Sequence, residues 1–78
     1  MERGEVWWAD LPSPVGKRPV LLLSRNRAIH VRYYITIVPL TTTERRIPVE
    51  VSLGPSDGLP KRCVANLDNL NTIPKNLL

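Results

Sequence analysis

The eight residues KRPVLLLS, Lys17–Ser24, form the stretch from which the architecture of this chain is predicted. Their apolar centre, Val20–Leu23, is short, contains one β-branched residue and shows no polar alternation. Such a run is typical of a strand that is covered on both faces rather than of an amphipathic helix. We therefore predict that Val20–Leu23 forms a buried central strand.

Arg18 stands at the mouth of this strand and is the first candidate functional residue. Pro19 fixes its own φ angle and disfavours the α region for Arg18, so the arginine is held in an extended conformation. A guanidinium held in this way is preorganised to bind an anion. A simple solvated charge at a strand end is the alternative, because most arginines lie at protein surfaces.

Length, charge and cysteine content predict one small cytoplasmic domain. The chain has 78 residues and no apolar run long enough to cross a bilayer, and its acidic N-terminus does not fit a signal peptide. The single cysteine, Cys63, cannot form an internal disulfide. Lys and Arg outnumber Asp and Glu by 11 to 7, and the net charge of +4 favours a polyanionic or acidic partner. Because a core of this size provides little net stability, we also expect self-association.

The rest of the chain predicts an all-β fold. Prolines and glycines separate short runs of β-forming residues, and no amphipathic helix of substantial length is present. Ser24 is expected to cap one or two helical turns that reach His30. Short strands at this spacing indicate a small barrel. The predicted strands are Gly4–Asp10, Val20–Leu23, Val31–Val38, Ile47–Leu53, Arg62–Asn66 and Asn71–Pro74.

Alternation within these strands predicts which side chains are buried. Val31–Val38 should end at Pro39 and connect through a polar hairpin to Ile47–Leu53, whose apolar residues 47, 49, 51 and 53 should face the core. The Trp7 and Trp8 side chains should point to opposite faces of the first strand. The pair is explained either by nucleobase stacking or, more commonly, by one core residue and one dimer contact.

Most enzyme classes lack support in this sequence. There is no nucleotide-binding glycine loop and no metal-ligand spacing, and the acids are scattered, so a two-metal nuclease site is not indicated. His30 is the only histidine, which excludes cleavage by a histidine pair. RNA, however, contains its own nucleophile, because the 2′-hydroxyl can attack the adjacent phosphorus. An arginine that stabilises charge and a hydroxyl group suffice for that reaction.

Several short pieces of the chain together resemble the MazF/PemK toxins of bacterial toxin-antitoxin systems. The opening Arg-Gly-Glu-Val strand followed by Arg-Pro and an aliphatic strand is the most specific combination. The matching pieces, which follow the family order, are Arg3–Trp7, Ala9–Leu11, Pro14–Gly16, Arg18–Ser24, Val38–Thr41, Pro48–Val51, Asp57–Leu59 and Thr72–Lys75.

The resemblance implies a fold, an activity and partners. The fold would be a small SH3-like barrel of the CcdB/PemK toxin type, in a single domain spanning residues 1–78. The activity would be sequence-selective cleavage of single-stranded RNA by a homodimer, with no metal or other cofactor. A cognate antitoxin with an acidic, disordered tail would neutralise it. Relatives generally continue beyond the position of Leu78 into a C-terminal helix, which is therefore not expected in this chain.

The resemblance also implies site residues. Arg18 and Thr41 correspond to the catalytic arginine and threonine of the family, both expected to contact the scissile phosphate. Thr43 and Asn69 fall where family members carry RNA-contacting polar residues. Charge and position alone add three further RNA-binding candidates: Lys17, Arg45 and Arg46.

Two other functions stay open at this point. One is a non-enzymatic poison of the CcdB type, which binds gyrase through its last helix and which this chain fits poorly. The other is a binding or dimerisation module without catalytic activity. For a homodimer, Trp7, Tyr34 and the strand edges are the expected contacts.

Overall fold

The computed structural model describes residues 1–78 and is mainly an antiparallel β-sheet of six strands. No helix is long and apolar enough to span a bilayer. The strands are β1 (Val6–Leu11), β2 (Gly16–Leu22), β3 (Tyr34–Thr41), β4 (Glu50–Leu53), β5 (Cys63–Asn66) and β6 (Asn71–Pro74), and the helical elements are α1 (Asn26–Val31) and two 3₁₀ turns, Pro55–Asp57 and Lys75–Leu77.

The sheet is open rather than closed into a barrel. Its strand order is β1-β2-β3-β5-β4, and β6 pairs with the first half of β3. The end strands β1 and β4 do not pair with each other, so each has one edge without a neighbouring strand. The predicted mainly β fold is therefore confirmed, whereas its closure into a barrel is not. The predicted hairpin between the third and fourth strands is also wrong, because β5 lies between β3 and β4.

The core lies on both faces of β2, as predicted from its unbroken apolar run. Val20 and Leu22 are fully buried in one cluster, whereas Leu21, and Leu23 directly after the strand, pack against a second cluster on the opposite face. Alternate side chains of a strand point to opposite faces, so both must be apolar in a central strand. The first cluster contains Ala9, Val20, Leu22, Ile29, Ile35, Ile37 and Ile73, and the second contains Val38, Leu40, Leu59, Cys63 and Ala65.

Strand β3 starts later than predicted and continues through Pro39 to Thr41. The Thr36 carbonyl accepts a hydrogen bond from the Leu23 N–H at 3.0 Å, so its backbone groups face β2. Pro39, three residues further along, therefore directs its nitrogen to the other side. On that side, residues 34–37 of β3 pair with β6 and residues 40 and 41 pair with β5, so Pro39 has no pairing partner. Its lack of an N–H group therefore removes no hydrogen bond from the sheet.

Two local predictions, the packing of the fourth strand and the cap of α1, are corrected. Only Glu50–Leu53 is a strand. Ile47, in the loop before it, and Val51 on this edge strand are exposed by 38% and 44%, whereas Leu53 packs against the second cluster as predicted. Ser24 does not cap α1. Its Oγ instead accepts the Thr36 N–H at 2.8 Å, which ties the start of the helical segment to β3.

The two tryptophans occupy different environments, as the alternation predicted. Trp7 is half-buried against the first cluster, and its Nε1 donates a hydrogen bond to Glu5 Oε1 at 3.0 Å. Trp8 points to the opposite face and is 55% exposed. Trp8, rather than the proposed dimer contact Trp7, is therefore the tryptophan that the fold leaves open to a partner.

Candidate active site

Arg18 and Thr41 line the same cleft at one end of the central strand pair. In the ladder between β2 and β3, Val20 faces Pro39. This is the last pair of the ladder, and Arg18 and Thr41 each lie two residues beyond it and line one cleft. Because side chains alternate, both lie on the same face as the first apolar cluster, just beyond its last buried residues. The register that builds the core therefore also brings the arginine and the threonine together.

The end of the sheet carries a polar cleft on this face. Glu50 on β4 and Asn66 on β5 are paired directly, so their side chains extend the same face that Arg18 and Thr41 begin. The cleft is an open depression of about 490 Å³. Its lining residues are Arg18, Pro39, Thr41, Thr43, Arg45, Glu50, Asn66, Asp68 and Asn69.

Internal hydrogen bonds orient two donors in the polar cleft. The Thr43 N–H donates to Thr41 Oγ1 at 3.2 Å, which fixes the oxygen and leaves the hydroxyl proton free to be donated. The Asp68 N–H donates to Asn66 Oδ1 at 3.0 Å, which leaves the amide NH₂ group free. Both free donors suit a ligand that presents oxygen atoms.

Glu50 holds the loop that forms one wall of the cleft. Its carboxylate accepts the Arg45 N–H at 3.0 and 3.1 Å and the Arg46 N–H at 2.8 Å. Arg46 has a φ of 56°, a left-handed conformation that a residue of this kind rarely adopts. The carboxylate therefore stabilises a strained turn and keeps the Arg45 side chain at the cleft.

The Arg18 side chain is half-buried and has neither a hydrogen bond nor an ion pair within the protein. The ion pair of the chain lies elsewhere, between Arg62 and Glu44 at 3.4 Å, and His30 Nε2 lies 3.7 Å from Glu2 Oε1. A partly desolvated guanidinium interacts with an anion more strongly than a fully solvated one. Its five N–H donors are all available to a ligand.

The structure brings together five of the seven residues proposed from sequence. Lys17 lies on the opposite face and lines a neighbouring depression together with Arg18 and Thr41. Arg46 lines neither depression, although its backbone supports the cleft. The five that line the polar cleft are Arg18, Thr41, Thr43, Arg45 and Asn69.

Sequence reasoning missed three polar lining residues, Glu50, Asn66 and Asp68. Glu50 and Asn66 alternate with apolar neighbours in short strands, but their common face becomes visible only when the pairing of β4 with β5 is known. Asp68 follows β5 in a tight turn. No group of three or more His, Cys, Asp or Glu side chains is placed to hold a metal ion.

A small, mainly β fold with an arginine and a threonine at a polar cleft agrees with the toxin family that the sequence resembles, although the sheet is open. The family profile described as PemK-like, MazF-like toxin of type II toxin-antitoxin system matches residues 2–78. The chain belongs to this family.

Individual relatives agree with this assignment. The chain is 43% identical over 72 residues to the probable endoribonuclease MazF5 of Mycobacterium tuberculosis, covering 91% of this chain and 65% of the relative. A mycobacterial endoribonuclease solved in complex with its cognate antitoxin superposes with a TM-score of 0.86 at 38% identity, over 100% of this chain and 72% of that one. The M. tuberculosis toxin MazF-mt6 gives a TM-score of 0.86 at 34% identity, over 95% and 72%. The chain thus spans about two thirds of the length of these relatives.

Proposed function

We propose that this chain is an endoribonuclease toxin that cleaves single-stranded RNA. The observation that carries the proposal is an open polar cleft lined by both the unpaired Arg18 guanidinium and the oriented Thr41 hydroxyl. The names of the relatives support an RNA-cleaving toxin rather than a gyrase poison, because they are described as endoribonucleases. Metal independence is part of the proposal.

In the proposed reaction the substrate provides its own nucleophile. The 2′-oxygen attacks the adjacent phosphorus and forms a new P–O bond, while the bond from phosphorus to the 5′-oxygen breaks. The 2′-hydroxyl loses a proton and the departing 5′-oxygen gains one, so the products are a 2′,3′-cyclic phosphate and a 5′-hydroxyl. The enzyme must align the attacking and leaving oxygens and stabilise the additional negative charge of the pentacoordinate state.

Arg18 and Thr41 are the groups proposed to stabilise that charge. The planar Arg18 guanidinium can donate hydrogen bonds to two phosphate oxygens at once. It stays protonated near neutral pH and therefore cannot accept a proton as a base. The Thr41 hydroxyl, whose oxygen is held by the Thr43 N–H, would donate to a non-bridging oxygen. Antiparallel pairing of two central strands holds both groups in place before the substrate arrives.

We propose Asp68 as the group that receives the 2′-hydroxyl proton. It lines the same cleft as Arg18 and Thr41, and its carboxylate accepts no hydrogen bond from the protein. The other acid of the cleft, Glu50, is already engaged by the Arg45 and Arg46 N–H groups. A free carboxylate beside a phosphate site is suited to general base catalysis.

The remaining proposed RNA contacts surround these residues. Thr43, Arg45 and Asn69 line the cleft and are proposed to bind the phosphate backbone and base edges next to the scissile position. Lys17, on the opposite face beside Arg18, is proposed to bind a neighbouring phosphate. Arg46 keeps only a proposed role in attracting RNA through its charge, because its side chain does not line the cleft.

The proposed partners and location follow from the proposed activity. A related endoribonuclease was solved in complex with its cognate antitoxin, which supports an antitoxin partner for this chain as well. An acidic, disordered antitoxin tail would suit the net charge of +4 and would block the cleft by folding over it. We propose a homodimer that acts in the cytoplasm, where its RNA substrate is found. Stoichiometric cognate antitoxin should abolish cleavage, and binding without loss of cleavage would contradict this partner assignment.

The test is cleavage of a long single-stranded RNA in excess chelator, with mapping of the fragment ends. Wild-type protein should cut at a short recurring sequence and leave cyclic phosphate ends. Arg18→Ala and Thr41→Val should each lower kcat by about 10²- to 10³-fold, because each removes a donor to the developing charge.

Matched controls separate catalysis from folding. Arg27→Ala removes an exposed arginine of α1, and Thr72→Val removes an exposed threonine of β6, and neither residue lines the cleft. Both controls should cleave like the wild type. Intact RNA after incubation with folded wild-type protein would refute the enzyme and leave a toxin-like binding module as the explanation.

A further inference from the structure

We propose that Trp8 is a stacking platform for the nucleobase next to the scissile phosphate, with Lys17 and Lys61 binding the phosphate on that side. This inference rests on the proposed function and assigns a substrate contact to a second depression, on the opposite face from the polar cleft. We call this depression the Trp8 groove. Among its lining residues are Trp8, Lys17, Pro19, Thr42, Pro60 and Lys61.

The Trp8 groove and the polar cleft meet at the proposed catalytic pair. Arg18 and Thr41 line both depressions, so they form the ridge between them. Trp8 is paired directly with Pro19 in the ladder between β1 and β2, one residue along the strand from Arg18. A phosphate bound at the ridge therefore has room for one neighbouring nucleotide in the cleft and for the other in the Trp8 groove.

The fold itself gives no reason for a large aromatic residue at position 8. The Trp8 side chain is 55% exposed, and its indole N–H donates no hydrogen bond within the protein. The adjacent Trp7, by contrast, is half-buried and donates to Glu5. Pro19 and Pro60 border the exposed indole with rigid apolar surface. An exposed aromatic face with apolar walls suits a nucleobase, which stacks on such faces regardless of its identity.

The charge around the groove indicates where the phosphate would lie. Lys17 and Lys61 border the end nearest Arg18, and neither forms an ion pair. Asp10 lies opposite Lys17 in the ladder but does not pair with it within salt-bridge distance. With Arg18, the two lysines give the groove three cations that have no ion-pair partner, and these are complementary to a phosphate attached to a stacked base.

The other end of the groove is acidic, which limits how much RNA it can hold. Beyond Trp8 the depression continues past Glu5 and Asp57. A hydrogen bond from the Trp7 indole, reinforced by one from the Glu2 N–H, lowers the pKa of Glu5, so this carboxylate stays ionised at neutral pH. A second phosphate would meet negative charge there. The groove therefore fits one base, with its phosphate directed to the lysine end.

The first experiment measures binding separately from cleavage. Short 2′-O-methylated oligouridylate and oligoadenylate probes lack the nucleophile and cannot be cut. Wild-type tryptophan fluorescence should be quenched by both probes. Trp8→Ala should raise Kd by roughly tenfold to a hundredfold for each, the effect expected for loss of one stacked base, whereas Trp8→Phe should remain close to wild type.

Matched variants test whether the effect belongs to the groove. Val51→Ala removes a similarly exposed apolar side chain, 44% exposed on edge strand β4, and should leave Kd unchanged. Lys17→Ala and Lys61→Ala should each weaken binding of both probes. Each should also lower the slope of log Kd against log salt concentration by about the amount expected for one lost phosphate contact. Thermal unfolding followed by circular dichroism shows that each variant is folded.

The second experiment locates the stacked base. In a cleavable RNA, an abasic residue is placed either immediately before or immediately after the scissile phosphate. At one of the two positions the abasic residue should eliminate the difference in kcat/KM between wild type and Trp8→Ala, because the base that Trp8 contacts is already missing. At the other position the difference should persist.

The outcomes separate this inference from the proposed function. If wild-type protein cleaves RNA and Trp8→Ala binds and cleaves equally well, the stacking platform is refuted and the endoribonuclease stands. If Trp8 binds the uncleavable probes as expected but wild-type protein cuts no RNA, the platform stands and the catalytic proposal falls. Equal weakening by Trp8→Ala and Val51→Ala would also refute the platform, since it would point to a general change in the sheet.

Discussion

Arg18 gains its proposed role from alternation within a single strand. The period that buries Val20 and Leu22 also places Arg18 on their face, one step beyond the edge of the core. Pro19 lies between them on the opposite face and keeps the arginine extended. The side chain is therefore half-buried by its own strand without being neutralised by an internal partner.

Asp68 offers a direct test of how protons move in the proposed reaction. Asp68→Asn removes the carboxylate that would accept the proton but keeps the size and shape of the side chain. If Asp68 is the general base, kcat should fall by about 10²- to 10⁴-fold, with little change in the Kd of an uncleavable 2′-O-methylated probe. Single-turnover cleavage and probe binding measure the two quantities separately.

Asp57→Asn is the matched control for this charge change. Asp57 lies in a 3₁₀ turn outside the polar cleft, and its Oδ2 accepts the Gly54 N–H at 2.9 Å. This variant should keep the wild-type kcat. The general base assignment would be wrong if Asp68→Asn bound the probe more tightly and cleaved at the wild-type rate, because Asp68 would then only repel the phosphate backbone.

Strand β3 is the element that organises the sheet. It pairs with β2 along one edge and with β6 and then β5 along the other. Pro39 occupies the gap between these last two partners, where it needs no N–H. Because its side chains alternate between the two faces of the sheet, β3 carries residues of both apolar clusters, and it ends at Thr41 in the polar cleft.

Two isoleucine substitutions compare how much a side chain in the central strand and one in the loop before the edge strand contribute to folding stability. Ile37, in β3, is completely buried, so Ile37→Ala should lower the free energy of unfolding by about 2–5 kcal/mol. Ile47 is 38% exposed, and Ile47→Ala should lower it by less than about 1 kcal/mol. Urea unfolding measures both values. Equal losses would show that Ile47 is part of the core, as its alternation had predicted.

The whole molecule combines a small core with a large exposed apolar surface. Thirteen of the 78 residues are buried, and all of them are hydrophobic. Val31, Tyr34 and Leu70 are among the large apolar side chains that are at least half exposed. A chain of this size gains stability when such surface is buried against a second copy. This supports the proposed homodimer.

The dimer predicts a stability that depends on concentration. The unfolding midpoint should rise by a few degrees for each tenfold increase in protein concentration, because unfolding then includes dissociation. Light scattering should give twice the mass of the chain. Tyr34→Glu, which places a charge on the proposed contact surface, should shift the mass towards the monomer. A midpoint that is independent of concentration, together with a monomer mass, would contradict the dimer.

Local patterns in the chain were sufficient to predict the elements whose signals are short-ranged. The apolar run Val20–Leu23 indicated a strand covered on both faces, and Asn71–Pro74 was predicted with the bounds that the structure has. The opposite orientations of Trp7 and Trp8 also followed from alternation alone. These features depend on the side-chain period of one strand, which neighbouring residues determine.

The neighbours of each strand, and with them most of the site, depended on contacts between distant parts of the chain. Alternation in Ile47–Leu53 predicted a core strand. In the sheet, however, β5 lies between β3 and β4, so β4 is an edge strand, and Ile47 is 38% exposed. The same pairing placed Glu50 and Asn66 beside Thr41, and the turn after β5 added Asp68. A period of two residues defines the faces of a strand but not which strand lies beside it, because pairing depends on the burial and hydrogen bonding of the whole sheet.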